Sequence, residues 1–294
     1  MHWIQISINS NLEDAEPLEE ALLDLGSVAV TLQDAADQPL YEPPLGTTPL
    51  WYKTRVIGLF EAASNIDLVC AALQNQFPQL TQNDYRVEIV EEQAWERVWM
   101  ENFKPIRCGK RLWICPSWCE IPDKSAVNLM LDPGLAFGTG THPTTHLCLA
   151  WLEGLDIKNK TLIDYGCGSG ILAIAGLLLG ATHATAIDND PQALIATRDN
   201  AGRNKIDDKN LSIIYPREIP RNLKIDIVVA NILAQPLIDL SENICALLKS
   251  GGEIALSGIL EDQAEAVMNA YAKWIDWQAP IIKDGWVRLS GKKH

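Results

Sequence analysis

Seven residues restrict the folds open to this chain more than any other stretch: Asp164-Tyr165-Gly166-Cys167-Gly168-Ser169-Gly170, set between an apolar strand and an apolar helix. Glycines at such a junction let the main chain turn tightly and come close to a ligand. Asp188 ends the next apolar stretch, 22 residues after Gly166. An acid there, in a nucleotide-binding sheet, accepts hydrogen bonds from ribose hydroxyls. A strand-to-helix turn that holds no ligand is the competing reading, and the paired Asp188 tells against it. Segments 162–165, 184–188, 211–214, 225–230 and 253–257 read as strands, with helices after the first, second, fourth and fifth. Alternation of this kind predicts an α/β fold with a doubly wound, mostly parallel sheet.

The spacing of the glycines separates two kinds of nucleotide. A dinucleotide fingerprint needs its third glycine where this chain has Ile171, and an acid at Asp164 is unfavourable beside a pyrophosphate. S-adenosylmethionine carries a cationic sulfonium and an ammonium and no phosphate. The run resembles the first motif of class I S-adenosylmethionine-dependent methyltransferases, in which the glycine loop wraps the methionine portion and the second-strand acid holds the ribose.

Asn231-Ile232-Leu233-Ala234 follows the fourth strand, and ligands of open α/β sheets bind beyond the carboxyl ends of the strands. An Asn at that point accepts a hydrogen bond from an amine through its side-chain oxygen. The stretch is similar to the fourth motif of enzymes that methylate nitrogen. It departs from that motif by placing Ile232 and Leu233 where prolines usually stand, which weakens the case for a planar base or amide acceptor. A helix N-cap is the other reading of Asn231.

A third stretch, dense in Gly and Thr, runs Asp132-Pro133-Gly134-Leu135-Ala136-Phe137-Gly138-Thr139-Gly140-Thr141-His142-Pro143-Thr144-Thr145 before a helix predicted over 144–155. Its hydroxyls can cap that helix or close over a ligand. Taken in order, this stretch, the Gly166 loop, Asp188 and Asn231-Ile232-Leu233-Ala234 closely resemble the ribosomal protein L11 methyltransferase family, PrmA. The resemblance implies cofactor contacts at Thr145, Asp164, Gly166, Gly168, Gly170, Asp188 and Asn231, with Asn231 also catalytic. It implies S-adenosylmethionine as cofactor, and lysine side-chain and N-terminal amines of ribosomal protein L11 as acceptors. It also implies a small domain that swings to present them in turn.

The first 91 residues match by architecture. Ile4, Ile6 and Ile8 alternate with polar residues as in a strand, and Leu18, Ala21, Leu22 and Leu25 share a helical face that stops at Gly26. A strand over 28–32, a strand over 55–60, a helix opened by Ser64 and a strand over 86–90 complete a β-α-β-β-α-β order, the ferredoxin-like pattern. Residues 1–91 hold 14 acids and 3 bases. That field attracts basic partners and repels nucleic acid, although acids that serve only solubility give the same count. Trp95, Val98, Trp99 and Phe103 share one side of a helix predicted over 92–103, ahead of Pro105. The expected organisation is a ferredoxin-like substrate-recognition domain over 1–91, a helical connector over 92–104 and a methyltransferase domain over 105–294.

Other chemistries fit less well. The seven cysteines, an odd number with no leader-like segment ahead of them, point to a reducing cytoplasm. The longest apolar run, 171–181, is far short of the ~20 residues that span a bilayer. Cys115-x3-Cys119 and His142-x3-His146 have zinc-like internal spacings but lie 22 residues apart, so no metal is expected. Cys167 reads as a small packing residue beside the cofactor, and Cys148 and Cys245 as core. Ten tryptophans without a basic stripe do not make a nucleic-acid surface. Two rival readings stay open at this level: a methyltransferase of a small molecule or RNA whose first domain only dimerises, and a ribosomal-protein-binding adaptor without activity.

Overall fold

The computed structural model describes residues 2–36, 38, 49–81, 84–91, 103–132 and 140–294. Residues 92–102 of the connector helix expected over 92–103, and residues 133–139, half of the Gly/Thr-rich stretch 132–145, lie outside the described residues. The chain divides into two compact units, Met1–Trp99 and Met100–His294.

The first unit runs β1 (His2–Asn11), α1 (Leu12–Asp24), β2 (Ala29–Asp34), β3 (Lys53–Glu61), α2 (Ile66–Gln76) and β4 (Tyr85–Glu91). Its strands pair antiparallel in the order β2-β3-β1-β4. The alternation of β1 turns Ile6 and Ile8 into a core with Leu18 and Leu22 of α1, Val56 and Phe60 of β3 and Leu73 of α2, all fully buried. Asn11 caps α1, its side-chain oxygen accepting from the amides of Glu13 and Asp14 at 2.9 Å each. These two acids also complement the helix dipole. Asn65 caps α2, accepting from Leu68 N. The expected cap, Ser64, instead donates its amide to Glu61 O in the preceding turn.

The second unit opens with a three-stranded sheet, β5 (Ile106–Cys108), β6 (Leu112–Cys115) and β7 (Val127–Met130), in which β5 and β6 pair antiparallel and β6 and β7 parallel. Then follow α3 (Pro143–Gly154), β8 (Thr161–Tyr165), α4 (Ile171–Leu178), β9 (His183–Ile187), α5 (Pro191–Arg203), β10 (Leu211–Ile214) and β11 (Ile225–Asn231). The chain continues through α6 (Ala234–Asp239), α7 (Ser241–Leu247), β12 (Leu248–Leu260), α8 (Ala264–Tyr271), β13 (Ile275–Trp277), β14 (Ile281–Lys283) and β15 (Trp286–Lys293). The large sheet has the order β10-β9-β8-β11-β12-β15-β13, with β14 paired to β15. Strands β8 to β12 are parallel, and β15 runs antiparallel between β12 and β13.

Helices cover both faces, as a buried parallel sheet requires. Leu162, Ile227 and Val229 pack with α3, α4 and α5, whereas Ile163, Tyr165, Val228 and Ala230 pack with α6, α7 and α8. Winding reverses between β8 and β11, whose carboxyl ends lie side by side. Open α/β sheets place their ligands at that switch point. Among the described residues, no helix is long and apolar enough to cross a membrane.

Candidate active site

The glycine loop leaves β8 at the switch point. Gly166 and Gly170 have φ of +77° and +74°, in the left-handed region that side chains with a Cβ disfavour. The amides of Gly166 and Cys167 both donate to Ile187 O, at 2.8 and 3.0 Å. Gly168 N donates to Asp188 Oδ2 at 2.9 Å, and Asp190 N to Asp188 Oδ1 at 3.0 Å. The half-buried acid expected to hold a ribose therefore also ties the end of β9 to the glycine loop.

Two residues of α5 that carry no signal in the sequence, Thr197 and Asn200, hold the glycine loop, and a third just past the helix, Asn204, holds β7. Thr197 donates to Gly168 O at 3.0 Å, and Asn200 Nδ2 to Ser169 O at 2.9 Å. Asn204, just past the helix, exchanges hydrogen bonds with Met130 N and O, both at 2.8 Å. Short polar side chains on a helix carry no local mark of such a task, since a solvated face uses the same residues.

Asp164 lies in β8 but serves α4. Its Oδ2 accepts from Ala173 N at 3.0 Å in the first turn, where the N-cap, Gly170, offers no side chain. The carboxyl is 1% exposed, and its other oxygen, Oδ1, is buried without a hydrogen-bond partner. Burial is the main cause that raises its pKa to about 8, with the nearby Asp188 charge adding to the rise and the Ala173 and Leu172 amides opposing it.

Asn231 ends β11. It is not a helix cap, because Leu233 holds that position before α6. Its Nδ2 donates to Thr145 Oγ1 at 3.3 Å, and its Oδ1 is a second buried acceptor without a partner. Thr145 is fully buried in the first turn of α3. That helix is capped by the ring of His142 rather than by a Thr hydroxyl: His142 Nδ1 accepts from Thr144 N at 3.4 Å and lies 2.7 Å from Thr144 Oγ1. Burial lowers the His142 pKa, and its ring meets Trp286 edge-on at 4.8 Å.

Burial makes the Cys148, Cys167 and Cys245 thiols poor nucleophiles. Burial, then the Asp164 charge, pushes the Cys167 thiol up, and burial raises Cys148 to about 12 and Cys245 to about 11. Among the described residues, no group of three or more His, Cys, Asp or Glu side chains is placed to hold a metal ion. Cys115 Sγ is bonded to Asn128 Oδ1, and Cys119 Sγ to Phe103 O.

The unpaired polar atoms test whether S-adenosylmethionine fits. Asn231 Oδ1 is an acceptor, and Asp164 Oδ1 becomes one when that carboxyl ionises; both are buried at neighbouring strand ends, and a buried acceptor without a donor is costly. A cation with N–H donors meets that demand, whereas a phosphate does not. The doubly wound sheet, the glycine loop at its switch point, the acid after the next strand and the Asn after the fourth define a class I methyltransferase domain.

The family model for ribosomal protein L11 methyltransferase (PrmA) matches residues 2–294. The chain belongs to this family. It is 54% identical over 296 residues to the ribosomal protein L11 methyltransferase of Marinomonas sp., covering 100% of both chains. With that of Shewanella baltica it shares 51% over 294 residues, again covering 100% of both. The crystal structure of a ribosomal protein L11 methylase from Lactobacillus delbrueckii subsp. bulgaricus superposes with a TM-score of 0.60 at 32% identity, over 65% of this chain and 100% of that one.

Proposed function

We propose that the chain transfers methyl groups from S-adenosylmethionine to amines of ribosomal protein L11, both lysine side chains and the N-terminal α-amine. The observation that carries this reading is the buried, unpartnered oxygen of Asn231 at the switch point, an acceptor suited to the N–H of an amine.

When bound, S-adenosylmethionine supplies an electrophilic methyl group on a sulfonium. Gly166, Gly168 and Gly170 would let the main chain close on its methionine portion, Asp188 would accept from the ribose hydroxyls, and Asp164, Thr145 and Asn231 would complete the site. Only a neutral amine is a nucleophile, and a free lysine, with a pKa of about 10.4, is almost wholly charged near neutrality. Desolvation at the mouth of the site and the sulfonium charge both favour the neutral form. Asn231 then aims the lone pair, and the proton leaves to water. With the Cys167 thiol pushed up and His142 pushed down, neither is suited as the base, and the reaction relies on orientation of the amine.

Residues 1–91, with 14 acids and 3 bases, form the substrate-recognition module for the basic ribosomal protein, 92–104 the connector, and 105–294 the methyltransferase domain. The seven unpaired cysteines suit the cytoplasm, where that substrate is made. The reading is tested by incubating the purified chain with S-adenosylmethionine and purified L11, then mapping added methyl masses along L11. Methyl groups confined to lysine and N-terminal amines support it. Their absence from L11 overturns it.

A further inference from the structure

The loop after β11 lacks the usual prolines, and the structure offers a different source of stiffness. Ile232 lies between two glycines of neighbouring strands. A Cβ built on Gly166, after β8, would come within 2.2 Å of Ile232 Cγ2. One built on Gly258, in β12, would come within 2.3 Å of the Ile232 carbonyl oxygen and 2.8 Å of its carbonyl carbon. The side chain is thus seated on the main chain of the cofactor loop, and the peptide on the main chain of β12. Gly258 has a φ of +85° and sits where the register between β12 and β15 shifts, between Leu256 and Ile259. Directly before it, Ser257 pairs with Asn231. Any side chain at position 166 or 258 would displace Ile232.

We propose that Ile232 is the positioning residue for Asn231: wedged between Gly166 and Gly258, it fixes the direction of the Asn231 side chain and its spacing from the cofactor loop. A β-branched side chain suits this role because its χ1 is stiff. One face of the wedge bears on the loop that holds the methyl donor, and the residue before it aims the acceptor. A displacement of Ile232 therefore changes the distance between the two reactants, to which rate is far more sensitive than binding. The inference rests on the reading of Asn231 as the residue that orients the amine.

The test compares Ile232→Ala, Ile232→Val, Gly258→Ala and Asn231→Ala. Each variant is assayed for kcat and KM with L11 and for S-adenosylmethionine Kd by calorimetry. Misplacement by about 1 Å costs on the order of 10²-fold, so kcat in Ile232→Ala should fall at least about tenfold with Kd changed less than about threefold. Ile232→Val keeps the branch and should restore most of the rate. Gly258→Ala should reproduce the loss from the opposite side. The proposal is overturned if Ile232→Ala keeps its kcat, if Ile232→Val does not restore it, or if Kd weakens in parallel. Should Ile232→Ala not fold, Gly258→Ala decides, and a normal kcat there overturns the wedge. A slow Asn231→Ala beside a fast Ile232→Ala removes only this inference. A fast Asn231→Ala removes the reading of Asn231 and the wedge with it.

Discussion

Asn231 and Thr145 are joined near the switch point of the sheet by one hydrogen bond of 3.3 Å, which uses the amide nitrogen and leaves Asn231 Oδ1 as a buried acceptor without a partner. Thr145 thereby anchors one end of the Asn231 amide. Replacing Thr145 by Val keeps the shape but strips Nδ2 of its partner, a loss of about 1–3 kcal/mol for a buried donor. Thr145→Val should lower kcat with L11 while the KM for L11 changes little. A variant with normal kcat would show that Asn231 needs no orienting partner.

Asp188 bonds the amides of Gly168 and Asp190 through separate oxygens, and each oxygen keeps accepting capacity for a ribose hydroxyl. A hydrogen bond to a charged acceptor contributes about 1.5–3 kcal/mol. Calorimetry on Asp188→Ala should therefore show S-adenosylmethionine bound roughly ten- to a hundredfold more weakly. Affinity within about twofold of the unaltered chain would remove Asp188 from the cofactor site.

Asp164 should leave a trace in pH dependence. Its pKa rises from 3.8 to about 8 on folding, so between these values the folded state holds a proton that the unfolded state has lost. Its contribution to stability then falls as pH rises from about 4 to about 8 and is level above that. Asp164→Asn, which cannot ionise, should flatten the dependence of Tm on pH across that window. Binding of a cation beside Asp164 Oδ1 favours the ionised form. At pH 7, the binding enthalpy of S-adenosylmethionine should vary with the ionisation heat of the buffer as a proton is released. Parallel Tm curves, or a buffer-independent enthalpy, would contradict this account.

Asn200 is 4% exposed and donates to Ser169 O, so Asn200→Ala strands a buried carbonyl of the glycine loop. The expected loss is about 1–3 kcal/mol, read as a lower Tm, accompanied by weaker S-adenosylmethionine binding. Loss of stability with intact affinity would confine Asn200 to the core.

The acidic excess of residues 1–91 predicts salt dependence. Exposed charges lose most of their reach beyond about 8 Å at 0.15 M ionic strength. kcat/KM for L11 should therefore fall as salt rises from low concentration, while S-adenosylmethionine binding stays nearly constant. A salt-independent kcat/KM would leave the acids a role in solubility alone.

The sequence made the strand-loop-helix core plain because buried parallel strands are unbroken apolar runs and the glycines interrupt them sharply. Boundaries suffered where neighbouring residues compete for one task, as with Ser64 beside Asn65. The short strand β5 was not visible in 3 residues. Nor did the sequence reveal that β15 extends to Lys293 and enters between β12 and β13, a consequence of pairing across the sheet. At the site, Gly166, Asp188 and Asn231 carried spacing signals. Thr197, Asn200 and the seat of Ile232 between two glycines depend on contacts distant in sequence, to which no local pattern corresponds.

The central claim is tested most directly in an extract of cells that lack this chain. The purified chain is added with S-adenosylmethionine labelled in its methyl group, and the labelled species are identified by mass. The account predicts label in ribosomal protein L11, on lysine side chains and the N-terminal amine. Label in RNA or in a small metabolite, or none despite measurable S-adenosylmethionine binding, would contradict it.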